Sequence, residues 1–77
     1  MDPEKFEAMV GRTITGVVVK ESDRPPRSQV FLIFSDGVYS ELWSDAPINA
    51  ARLWPGGRDE VRAYMAPQQR IVFEAYQ

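Results

Sequence analysis

The chain has 77 residues, carries 9 Lys and Arg against 11 Asp and Glu for a net charge of −2, and contains neither Cys nor His. That composition excludes disulfides, Cys- or His-ligated zinc, haem and iron–sulfur sites, a thiol nucleophile, and an imidazole base working near neutral pH. The length leaves room for one domain.

Asp2-Pro3-Glu4 is a helix start: Asp2 can cap, Pro3 suits the first helical position, and Glu4 favours the positive end of the dipole. Phe6, Met9 and Val10 then form one apolar stripe, and Gly11 is placed to end the helix. Residues 13–20 are β-branched and predict a strand, with Gly16 marking a bulge or a close approach by another element. Residues 21–28 are the most polar stretch. Pro25-Pro26 at their centre excludes a paired central strand, which leaves a protruding loop.

Residues 29–34 are apolar on both faces, the pattern of a central strand. Ser35-Asp36-Gly37 makes a tight turn with Gly37 at positive φ, and residues 38–43 return as a strand. Val38, Ser40 and Leu42 share one face of it; Tyr39, Glu41 and Trp43 share the other. A two-residue turn sets Phe34 opposite Tyr39, and a three-residue turn sets Phe34 opposite Val38. The two registers swap the faces, and the residues do not choose between them.

Residues 44–57 form a connection. Asp45 could cap a turn or two of helix, with Ile48, Ala51 and Leu53 inward, until Pro55-Gly56-Gly57 stops it. Residues 59–65 and 70–76 alternate as two strands of a second hairpin around residues 66–69. Extending that loop by one residue, to five, places Arg62 opposite Glu74, a favourable cross-strand pair. The expected fold class is α+β: a curved five-stranded antiparallel sheet, in the order α-β-β-β-short α-β-β, with the N-terminal helix packed on one face. A small, partly closed β-barrel is the alternative.

Chemistry-bearing patterns are few. Nothing matches a nucleophile elbow, an S-x-x-K pair or a P-loop. Asp36, Glu41 and Asp45 lie near one hairpin, but turn chemistry explains Asp36 and capping explains Asp45. Their spacing fits no cation loop. No catalytic residue, metal site or cofactor is therefore expected.

Seven of the nine basic residues are Arg, which suits planar and stacked contacts. Arg24 and Arg27 flank the two prolines as a candidate recognition loop, although Glu21 and Asp23 cancel most of the field. Tyr39 and Trp43 on one strand, and Arg62, Tyr64 and Tyr76 near the C-terminus, form a candidate interface. Aromatic residues interleaved with Arg can stack bases, yet they equally make protein interfaces, and the acidic balance favours protein.

The order of signals also resembles small bacterial and phage domains of unassigned function. It rests on a short helix running into Gly11-Arg12-Thr13-Ile14, a Val-rich strand, and an apolar strand meeting Phe34-Ser35-Asp36-Gly37. The similarity spans about the first 43 residues. It implies an α+β fold and a bacterial or phage origin, and it brings no activity and no site residues.

Domains this small usually need a staple or a partner. With disulfides excluded, the expectation is a non-enzymatic interaction module, a homodimer or a binder of another protein, placed in the cytoplasm and away from membranes. A nucleic-acid-binding module is the alternative, and a carboxylate-based ligand domain stands further behind.

Overall fold

The computed structural model describes residues 3–43, 49–64 and 69–77. Three strands make an antiparallel meander: β1 (Ile14–Glu21), β2 (Ser28–Phe34) and β3 (Val38–Trp43). Val17 stands opposite Leu32, and Val30 opposite Leu42. Ile33 pairs with Tyr39, so the three-residue turn is the one adopted, with Gly37 at φ 81°. That register puts Tyr39, Glu41 and Trp43 on the same face as Ile33, Phe31 and Gln29.

The outer edge of β3 is covered in two pieces. β4 (Asn49–Ala50) pairs with its end, and β5 (Trp54–Pro55) with its beginning. The helical turns expected within 44–57 are not seen among the described residues of that stretch, which form these two short strands instead; Asp45, Pro47 and Ile48 lie outside the described residues. β6 (Arg70–Tyr76) pairs with β1 at the opposite edge. Among the described residues the sheet therefore has six strands, not five. It runs β4-β3-β2-β1-β6 with β5 beside β3, and it stays open, so the barrel alternative is not formed. β2 lies at its centre, as a strand apolar on both faces should.

The second hairpin does not form. Residues expected as its first strand make a helix, α2 (Arg58–Ala63), while residues 65–68 lie outside the described residues. Local chemistry explains the helix. Glu60 reaches back to accept from the Gly57 N–H at 2.8 Å, which satisfies one orphan donor of the first turn. Asp59 and Glu60 lie at the positive end of the helix and Arg62 at the negative end. The alternation of Val61 and Ala63 suggested a strand, but only Val61 points inward; Ala63 is exposed.

Val61 completes the core. It is fully buried with Val18, Phe31 and Ile33, and Tyr39, Ile71 and Tyr76 pack around them. Gly16 permits the close approach at one end of this layer. A Cβ there would stand 2.9 Å from Tyr76 Cδ1 and 3.2 Å from Ile33 Cδ1. On the opposite face Val17, Val19, Val30 and Leu32 are half-buried.

α1 (Pro3–Glu7) begins with Pro3 and stops short of the expected end at Gly11; Asp2, the expected cap, lies outside the described residues. After Glu7 the bonds tighten from Met9 N–H to the Phe6 carbonyl and from Val10 N–H to the Glu7 carbonyl, and Gly11 closes the segment at φ 85°. α1 buries none of its residues, and Val10 is exposed. The covering role expected of this helix falls to α2. No helix among the described residues is long and apolar enough to cross a membrane.

Candidate functional site

The face beneath α2 carries the chemistry, and its organiser is Lys20. This lysine is fully buried near the end of β1. Its ammonium donates to the carbonyl of Val61 at 2.6 Å and to that of Tyr64, the orphan acceptors at the end of α2. It also lies 5.0 Å from the centre of the Phe31 ring and 5.7 Å from that of Tyr64. Burial lowers its pKa, and attraction to Glu41 partly opposes that shift. A cation at the negative end of a helix is favourably placed, and here it fixes where the chain leaves α2. Tyr64 follows at once, with its ring edge-on to Phe31 at 5.8 Å.

Tyr39, Glu41 and Tyr64 meet on this face. Tyr39 leans on Phe31 from the other side, with centroids 6.4 Å apart, and is paired across the strands with Trp54. Tyr39, Trp54, Tyr64 and Glu41 together line a cavity of about 280 Å³. A second recess of about 360 Å³ shares Glu41 and Tyr64 with it and adds Trp43, Pro26 and Gln29. Glu41 is half-buried and accepts a hydrogen bond from the side-chain amide of Gln29, itself 2% exposed. The amide carbonyl of Gln29 has no hydrogen-bond partner among the described residues.

All nine Lys and Arg belong to the described residues, and none stands within ion-pair distance of Glu41. Its charge is felt by the rings. It is the leading cause of the raised pKa of Tyr64, ahead of burial. For Tyr39, burial comes first, followed by Tyr64, Glu41 and Glu60.

The five expected interface residues thus divide into two groups. Tyr39, Trp43 and Tyr64 gather around Glu41. Arg62 and Tyr76 meet at the edge of the sheet through Glu74, which takes Arg62 Nε at 3.2 Å and the Tyr76 hydroxyl at 2.6 Å. The Arg62–Glu74 pair exists as expected, but it joins a helix to a strand. Burial is the first cause of the raised pKa of Tyr76, with the bond to Glu74 next.

Arg24 and Arg27 are exposed on the loop between β1 and β2, where Ser22 N–H donates to the Arg27 carbonyl at 3.0 Å. Neither makes an ion pair among the described residues. Asp36 is exposed in the turn and paired with Arg12. Glu41 lies three residues into β3, roughly 10 Å further along at strand rise. Asp45 lies outside the described residues. No group of three metal-ligating side chains forms among the described residues.

Sequence reasoning missed Lys20, which resembled any strand-end lysine, and Trp54, which was as consistent with core as with surface. The alternation of β1 placed Lys20 in line with Gly16 and Val18, and that was the available signal. The chain matches no protein-family model, no curated protein and no solved structure.

Proposed function

We propose that this chain is a non-enzymatic protein-interaction module that pairs with a second copy of itself through β6. One observation carries the reading. β6 is an edge strand, and its neighbouring residues Val72 and Phe73 are 47% and 53% exposed. Exposed edges offer unpaired main-chain groups to another strand.

Local geometry supports the same reading. Phe73 pairs with Val19 and Ile71 with Lys20, so Val72 is the extra residue of a bulge. The bulge sends Ile71 inward to the core and leaves Phe73 outward, beside the half-buried Val17 and Val19. An antiparallel pairing of two β6 strands would place the exposed Phe73 of both copies on one face of the joined sheet. It would also continue the sheet across a two-fold axis.

Sedimentation velocity across micromolar concentrations tests the proposal. The expected result is a species of twice the monomer mass that Phe73→Asp converts to monomer with an unchanged circular dichroism spectrum. A monomer at every concentration overturns self-association, and a dimer indifferent to Phe73→Asp overturns the β6 assignment. Nucleic-acid binding finds less support, because the aromatic cluster has a carboxylate at its centre, which repels phosphate.

A further inference from the structure

The cavity around Glu41 has a property that self-association at β6 does not use. Among the described residues its walls are three aromatic rings, those of Tyr39, Trp54 and Tyr64, and its one charged lining group is a carboxylate. Aromatic faces are electron-rich and attract cations. A half-buried carboxylate is costly unless a cation or hydrogen bonds compensate it. Glu41 has a hydrogen bond from Gln29 and no ion-pair partner among the described residues. Lys20, the nearest candidate, directs its ammonium to two main-chain carbonyls of α2.

The walls are held in advance. Tyr39 and Tyr64 both pack on the buried Phe31, and Trp54 is carried by a strand pairing with Tyr39. Arg52, which does not line the cavity, already places its guanidinium 4.3 Å from the centre of the Trp54 ring. The volume is slightly below that of sites for drug-sized molecules. It suits a headgroup or the end of a side chain.

We propose that this cavity binds a quaternary ammonium group. The choice among cations follows from the donors and acceptors. A guanidinium seeks two carboxylate oxygens for its planar fork, and one oxygen of Glu41 is taken by Gln29. A primary ammonium is strongly hydrated and would lose that water against the rings. A trimethylammonium group has no N–H to satisfy, presents methyl groups to the rings, and keeps its charge for Glu41.

Tryptophan fluorescence of the whole chain tests this, with choline as the probe and sodium chloride at matched ionic strength as the blank. The expected result is a saturable change in the millimolar range. 3,3-Dimethyl-1-butanol, the neutral isostere of choline, should bind at least about tenfold more weakly. Glu41→Gln, which keeps the shape and the tryptophan reporter, should weaken choline by about tenfold with circular dichroism unchanged. Two further arms identify the source. Tighter binding of a peptide bearing trimethyl-lysine than of free trimethyl-lysine assigns a modified protein. Equal binding of the two assigns a free small molecule. The proposal is overturned if no probe gives a saturable change, if the neutral isostere matches choline, if guanidinium binds more tightly than choline, or if Glu41→Gln binds choline unchanged.

Discussion

Lys20, buried near the end of β1, donates to the main-chain carbonyl of Val61 at 2.6 Å, across 41 positions of chain. The bond makes a side chain of β1 the C-terminal cap of α2. Lys20→Met keeps most of the apolar stem but leaves the carbonyls of Val61 and Tyr64 without their donor. A loss of about 1–3 kcal/mol is expected in urea denaturation. Because burial lowers the Lys20 pKa from 10.5, the folded chain gives up this proton at lower pH than the unfolded chain. Between the lowered pKa and 10.5, this group makes stability rise with pH. Comparing pH–stability curves of the parent and Lys20→Met isolates that contribution.

Gly16 is set by its neighbours. Alanine there would meet the Tyr76 ring at 2.9 Å and Ile33 at 3.2 Å. Gly16→Ala should destabilise by about 1–3 kcal/mol through overpacking. It should also loosen β6, visible as faster amide exchange in Phe73–Tyr76 than in β3. Equal stability would show that Tyr76 swings away freely.

The tyrosines report the field of Glu41. Tyr39, Tyr64 and Tyr76 all have pKa values raised above 10.0 in the folded chain. A raised pKa contributes stability that is fully present below 10.0 and is lost as pH rises through the folded values. Absorbance titration should therefore show these phenols ionising later in the folded chain than in urea. Glu41→Gln should bring Tyr64 down most, since Glu41 is its leading cause, and should leave Tyr76, shifted by burial and Glu74, in place.

The Arg62–Glu74 pair is solvent-exposed on both sides and contributes little. A double-mutant cycle with Arg62→Ala and Glu74→Ala should give a coupling below about 1 kcal/mol that fades in high salt. A larger value would mean that the ion pair, and not Val61, anchors α2 over β6.

The meander was legible because its signals are local. β-Branched runs, Pro25-Pro26 and the Asp36-Gly37 turn each specify their own few residues, and the bulge or close approach at Gly16 was also anticipated. The register of the turn was open until the three-residue form appeared. α2 was misread because Val61 and Ala63 mimic a strand, while the deciding contact is the Glu60 side chain on the Gly57 N–H. Ile71, Phe73 and Ala75 alternate as one face of a strand would; the bulge at Val72 divides them, and such a bulge depends on β1 as a neighbour. Tyr39, Trp43 and Tyr64 were named for an interface. Their convergence on Glu41 required knowing that α2 packs back over β1 and β2 and that Lys20 holds its end.

The pairing of β1 with β6 orders events in time. Turns bring β1, β2 and β3 together over short chain distances, but Val17 must wait for Ala75 from the far side of α2. Closing so long a loop is slow compared with closing a hairpin. During that interval the run Ile14-Thr15-Gly16-Val17-Val18-Val19 is an uncovered edge, rich in β-branched residues and without charge until Lys20. Such a segment recruits strands from other molecules. Any delay in docking β6 therefore leaves the most strand-prone edge of the chain without its cover.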